Sequence, residues 1–179
     1  LSFKSTAAVT LNLNRAYTRL YNGGFDPTNT GSKMLDSNSV YRYNYGSLNF
    51  LTNTRRRLSA SMNNQFGQYF NGWLFVSDGY ISYRTGSWAN WYLNFTLNQF
   101  YFPDPYPDNR FWLVGPKAEI SFTKSHFLTL FLQYNQQADN INVNARYQWR
   151  FAPVSDLFVV YSENYLPQPW KTKNRALVV

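Results

Sequence analysis

Residues 140–151 read NINVNARYQWRF. Ile141, Val143, Ala145, Tyr147, Trp149 and Phe151 alternate without a break with Asn142, Asn144, Arg146, Gln148 and Arg150. A β-strand sends successive side chains to opposite faces, so the stretch specifies a strand with one apolar and one polar face. Two folds accept such a strand. In a soluble sandwich, Tyr147 and Trp149 fill a core and the arginines face water. In an outer-membrane barrel, the apolar face meets lipid and the arginines line a polar lumen.

The rest of the chain repeats the pattern, and helical periodicity is nearly absent. Strands are expected near 4–17, 39–54, 57–69, 73–84, 88–102, 111–122, 126–136, 140–151 and 156–163, with a tenth from Arg175. Tyr41, Tyr43 and Tyr45 share one parity and Leu48 and Phe50 the other, which predicts a bulge near Gly46. Asn71-Gly72 predicts a hairpin turn. The connections alternate in length. Long ones fall at 18–38, at the Pro-rich 102–109 and at 163–174, while the intervening ones are short. Short turns at one end and long loops at the other fit a barrel better than a Greek-key sandwich.

Aromatic placement points the same way. The 15 Tyr, 15 Phe and 6 Trp make up 20% of 179 residues, and such rings suit a boundary between hydrocarbon and water. Two girdles are expected. One lies near the long loops (Tyr17, Tyr41, Tyr43, Phe66, Tyr69, Trp73, Tyr101, Phe102, Phe111, Trp112, Tyr134, Tyr161), the other near the short turns (Tyr83, Trp88, Trp91, Phe122, Phe127, Trp149, Phe151). On this reading Trp91, Tyr147, Trp149 and Phe151 face lipid, and Lys117, Glu119, Arg146 and Arg150 face the lumen. There these charges either tune a pore or form a paired network that plugs a narrow barrel. No run of about 18 apolar residues exists to form a membrane-spanning helix, and a barrel does not need one.

Residues 133–165, QYNQQADNINVNARYQWRFAPVSDLFVVYSENY, are more specific than their alternation. The Gln133-Tyr134-Asn135 run, Asn144-Ala-Arg146 with Trp149, Pro153-Val-Ser-Asp-Leu-Phe, Val159-Val-Tyr161 and the closing Asn174-Arg-Ala-Leu-Val-Val carry a resemblance. The segment resembles the C-terminal outer-membrane β-barrel domain of unknown function found in Bacteroidota proteins with an N-terminal carbohydrate-binding family 9-like module. The likeness covers about 60 residues well and extends more weakly to Gly67-Gln-Tyr-Phe-Asn-Gly72. It implies a fold and a location in the bacterial outer membrane, not an activity. Residues 1–179 then form one antiparallel transmembrane barrel domain of about ten strands, part of a larger barrel. Relative to that family, the upstream module and the end of the last strand are missing.

Candidate chemistry is sparse. The absence of cysteine excludes disulfides, zinc–thiolate sites and thiol nucleophiles. His126, the single histidine, follows a turn and reads as a rim-polar residue rather than a catalytic base. The nine carboxylates show no glycosidase-like spacing. Asp104 and Asp108 flank Pro-Tyr-Pro and read as turn formers rather than calcium ligands. Asn94-Phe-Thr96 matches a glycosylation sequon but falls mid-strand. The net charge of +8 raises nucleic acid as a partner, but the one tight basic run, Arg55-Arg56-Arg57, has no basic helix behind it. Nucleic acid is therefore not an expected partner, and no catalytic residue, cofactor or metal is expected. Outer-membrane lipid, other envelope proteins and a glycan are the expected partners, with Tyr165 and Trp170 as an external contact. Three functions fit: a non-enzymatic membrane anchor or accessory subunit of an envelope complex, a pore or transporter for glycans or nutrients, and a soluble carbohydrate-binding β domain.

Overall fold

β-Branched and aromatic residues in two-residue alternation favour extended backbone, and the computed structural model follows that preference. It describes residues 6–21, 24–28, 30–31 and 33–179. The strands are β1 (Ala8–Arg19), β2 (Val40–Leu51), β3 (Leu58–Tyr69), β4 (Gly72–Thr85), β5 (Ala89–Tyr101), β6 (Asn109–Ser121), β7 (His126–Asn135), β8 (Asn140–Ala152), β9 (Ser155–Pro167) and β10 (Trp170–Val178). Each pairs antiparallel with the next in a ten-stranded meander. The expected start of the first strand at residue 4 lies outside the described residues. Strand lengths run from 9 to 14 residues, and a tilted strand needs about 9–11 to cross a bilayer.

Residues that pair directly lie on the same face, so register propagates parity from strand to strand. One face carries Leu11 and Leu13, Leu48 and Phe50, Ile81 and Tyr83, Leu93 and Phe95, Leu130 and Leu132, Val143 and Trp149. The other carries Asn12, Ser47, Asn49, Asn63, Asp78, Asn94, Lys117, Asn144 and Arg146. The polar face is the concave one. Across it the ring centroids of Tyr69 on β3 and Phe100 on β5 approach to 6.1 Å, although β4 lies between them and flat strands so separated stand about 9.5 Å apart. The sheet is curled but not closed. Among the described residues β1 pairs only with β2 and β10 only with β9, so a ten-stranded wall stands where a cylinder is expected. There is no second layer among the described residues.

Four expectations need correction. The ladder between β1 and β2 runs without a shift from Ala8↔Leu51 to Arg19↔Val40, so no bulge forms at Gly46. Tyr41, Tyr43 and Tyr45 therefore lie on the concave face with Ser47 and Asn49. The turn between β3 and β4 is Phe70-Asn71, one residue earlier than Asn71-Gly72. Phe70 takes φ 52°, a region a bulky residue seldom enters. The segment 163–174 is not a loop: β9 runs to Pro167 and β10 begins at Trp170, not Arg175. Its length reads as a loop because its prolines and lysines dilute the alternation. The bulges lie at Phe151 and Lys173, where the ladder shifts between Arg150 and Ala152 and between Thr172 and Asn174.

Gly72 is required by a neighbouring strand rather than by the turn, because a Cβ there would stand 2.3 Å from the Tyr101 carbonyl oxygen. Gly72→Ala is expected to cost about 1–3 kcal/mol as overpacking. Gly115→Ala, whose Cβ would meet nothing closer than 3.4 Å, should be close to neutral. Thermal melting of the two variants beside the parent checks the contrast.

Candidate functional site: a two-faced wall with a capped mouth

The two faces differ in the chemistry of their side chains. Large apolar side chains left exposed on the strands fall on the convex face, apart from Leu51 and Val178 at strand ends. Leu13 is 80% and Leu58 61% exposed. Ten strands spaced about 4.8 Å apart make this an apolar surface on the order of 1,000 Å², beyond the largest patch usual on a soluble monomer.

The convex face is also zoned along the strands. Tyr17, Trp73, Tyr101, Trp112, Tyr134, Tyr165 and Trp170 lie toward the end carrying the 20–39 and 102–108 connections. Phe50, Tyr83, Trp91, Trp149 and Phe151 lie toward the end with the turns 52–57, 86–88, 122–125 and 153–154. Leu, Val, Ala and Ile predominate between. Several expected girdle members do not belong: Tyr41, Tyr43, Tyr69 and Phe111 point to the concave side, as does Phe127.

Trp91, Tyr147, Trp149 and Phe151 lie together with this convex set. Trp149 packs edge-on against Phe151 at 5.8 Å, and the His126 ring stacks on Trp149 at 6.0 Å. His126 Nδ1 lies 2.6 Å from the Tyr147 hydroxyl, so the single histidine is held in an aromatic rim. Tyr165 and Trp170 are brought together as a stacked pair, 4.9 Å apart and 24° from parallel. The hairpin, not a loop, presents them.

Lys117, Glu119, Arg146 and Arg150 all project from the concave face, as their register requires. They do not form one network. Lys117 pairs with Glu119 at 2.6 Å, and Arg150 with Asp156 at 3.2 Å. The Arg146 guanidinium instead covers the Phe158 ring at 4.3 Å, a cation–π contact.

One group was not visible in the alternation. Glu163 sits on the convex face, almost fully buried. Arg175 donates to its Oε1 through Nε at 3.0 Å and Nη2 at 2.6 Å, Thr172 donates to the same oxygen at 3.0 Å, and Tyr161 donates to Oε2. The Lys173 bulge brings Thr172 and Arg175 onto the same side to reach it. A buried carboxylate needs this many donors to offset its lost hydration, and here they tie β10 to β9. Only the final hairpin's register shift creates the pocket, so spacing alone gave no signal.

The mouth at the long-connection end is covered from within. Phe25 and Leu35 exchange backbone hydrogen bonds of 3.2 and 2.8 Å, folding the first connection into a small hairpin. Leu35 is fully buried. Phe70, swung inward by its turn, contacts Phe25, Tyr41, Tyr43 and Tyr69 at centroid distances of 4.7 to 5.6 Å. The same connection reaches across the concavity. Lys33 lies over the Tyr106 ring at 5.7 Å, and the Gln137 side-chain amide donates to the Thr28 carbonyl at 3.5 Å. In the 102–108 loop, Asp108 accepts the Phe102 N–H at 2.8 Å, a turn-forming role as expected. Asn94 lies on the concave face and donates to the Gly115 carbonyl at 3.2 Å.

Asp26 organises the cap. Its Oδ1 accepts the Thr28 N–H at 2.8 Å and the Thr28 hydroxyl at 2.7 Å, and its Oδ2 accepts the Thr30 and Gly31 N–H groups, each at 2.8 Å. Desolvation pushes this carboxyl upward, but the hydrogen bonds from Thr28, Thr30 and Gly31 together outweigh it and hold the pKa at about 2. No protein-family profile, curated protein or solved structure matches this chain.

Because the folded pKa is depressed, the Asp26 contribution to cap closure is fully present above its ordinary value of 3.8 and is lost as pH falls through about 2. Hydrogen-exchange protection at the Thr28, Thr30 and Gly31 amides, taken relative to the intrinsic rate at each pH, should hold down to about pH 4 and fall between there and about pH 2. Asp26→Asn should make these amides exchange faster near neutral pH, while the β4–β5 ladder keeps its protection.

Proposed function

We propose that the chain forms part of the wall of a transmembrane β-barrel in a bacterial outer membrane and acts without catalysis, as a membrane anchor or accessory subunit of an envelope complex. The observation that carries this reading is the predominantly apolar convex face running across β1 to β10, with aromatics toward both ends and the arginines Arg15, Arg42 and Arg110 toward the long-connection end. A surface of that kind is stable against hydrocarbon and unstable against water. The polar concave face supplies the matching lumen. A soluble carbohydrate-binding domain is disfavoured because no second sheet covers the apolar face among the described residues.

In hydrocarbon an open sheet edge leaves backbone groups without partners at several kcal/mol each. The outer edges of β1 and β10 therefore pair with further strands in a larger closed barrel. The resemblance of residues 133–165 to the Bacteroidota barrel domain agrees with such a barrel. A pore for glycans or nutrients is the second reading, favoured by the polar concave face. The inward-folded cap of Phe25, Leu35 and Phe70 favours the anchor. The stacked Tyr165–Trp170 pair is the contact offered to an envelope partner or a glycan.

Fractionation of a bacterium producing the protein tests the proposal. It should sediment with outer membranes, need detergent for extraction, and shift in gel mobility on boiling. Leu93→Arg places a charge mid-strand on the convex face and should cost about 2–4 kcal/mol, abolishing the folded band or lowering its transition temperature. Thr96→Arg, on the concave face of the same strand, should be tolerated. A protein soluble without detergent, or equal effects of the two arginines, contradicts the proposal.

A further inference from the structure

The short-turn end of the concave face gathers three exposed arginines around one small pocket. Arg56 and Arg57 come from the 52–57 turn and Arg84 from the end of β4. With Ser59, Ser82, Asn90 and Tyr92 they line a space of about 20 Å³. Backbone geometry fixes their approach, because the Arg84 N–H donates to the Arg57 carbonyl at 2.8 Å. The floor is a pair of hydroxyls, Ser59 and Ser82, 2.7 Å apart, with Ser59 buried.

Three arginines close together without a countercharge set this cluster apart. Arg150 and Arg175 have Asp156 and Glu163, and Arg146 and Arg110 lie over Phe158 and Trp112, while among the described residues Arg15 on β1 has neither kind of partner but stands singly. Among the described residues no carboxylate lies within ion-pair distance of Arg56, Arg57 or Arg84. Glu119, opposite Asn90 on the neighbouring strand, is taken by Lys117 at 2.6 Å. Three like charges around one pocket repel one another, and an anion seated between them reverses the sign of that interaction.

We propose that this pocket binds a single tetrahedral oxyanion, the phosphoryl group of a phosphate monoester or a lipid headgroup. Planar guanidinium forks match such an oxyanion with paired, charge-assisted hydrogen bonds. The serine hydroxyls and the Asn90 amide supply further donors. The enclosed space is about the size of one water, so the oxyanion sits at its open mouth among the exposed arginines, and the rest of the ligand lies along the concave face toward Tyr92 and Lys117, whose ammonium covers the Tyr92 ring at 5.5 Å. The site stands on concave-face geometry and is independent of what meets the convex face.

The test is calorimetric titration of the folded protein at fixed ionic strength, with inorganic phosphate and glycerol 3-phosphate as probes. A parallel arm uses the protein in nanodiscs with and without phosphatidylglycerol. Saturable phosphate binding should weaken about tenfold or more in Arg84→Gln and in Arg57→Gln, while Arg150→Gln, whose arginine already has a carboxylate, leaves it unchanged. Arg84→Lys keeps the charge and loses the fork, so it should bind with intermediate affinity, and circular dichroism confirms that each variant is folded. Binding of phosphatidylglycerol alone, with the same dependence on Arg84, assigns the site to a lipid headgroup. No saturable binding of any probe, or equal weakening by Arg150→Gln, overturns the proposal.

Discussion

The hydrogen-bonded register between neighbouring strands decides on which face each side chain lies, and the rest of the structure depends on it. A slip of one residue in any ladder would move a whole strand's apolar set to the polar side. The ladders from β1 to β8 run without a shift, so Leu11, Leu48, Ile81, Leu93, Leu130 and Val143 reach the same surface from distant points in the sequence. Bulges are confined to Phe151 and Lys173, at the last two hairpins. The Lys173 bulge is put to use, since it aligns Thr172 and Arg175 on Glu163.

Curvature converts that two-faced sheet into a surface with an inside. Side chains splay apart on the convex face and converge on the concave one, which is why Tyr69 and Phe100 meet across an intervening strand. Convergence also lets one connection serve distant strands. The 20–39 segment leaves β1, packs Phe25 on Phe70, and touches the turns after β5 and β7. The cap is therefore held by aromatic packing at its base, by Asp26 within its own turn, and by polar contacts at its far edge. Among the described residues the opposite end of the concavity has no such cover and collects basic side chains instead.

Much of this was legible in the sequence because alternation and turn chemistry are local. The strands beginning near residues 57, 73, 88, 126 and 140 all form within a residue or two of their expected limits. The parity of Lys117, Glu119, Arg146 and Arg150 followed directly from their own strands, as did that of Trp91, Tyr147 and Trp149. What was not legible is long-range. The Tyr41-Tyr43-Tyr45 stripe suggested a bulge because tyrosine reads as apolar, yet these rings belong on the polar face, where Phe70 and the cap bury their edges. Phe70 itself gave no signal, since a phenylalanine at positive φ contradicts turn propensity and is held there by its ring partners. The Glu163 cluster and the Arg56–Arg57–Arg84 group join residues from separate strands, and only the register between those strands brings them together.

The central claim is that the convex face meets hydrocarbon and the concave face meets water. The chain has no cysteine, so single cysteines can be placed along β5 and carry a nitroxide spin label each. Collision rates with oxygen, which partitions into lipid, and with a water-soluble nickel chelate would be measured in bilayers from position 91 to 98. The result expected is a two-residue period, with oxygen access high at 91, 93, 95 and 97 and nickel access high at 92, 94, 96 and 98. Nickel access that is high on both parities, or a period with the opposite phase, would contradict it.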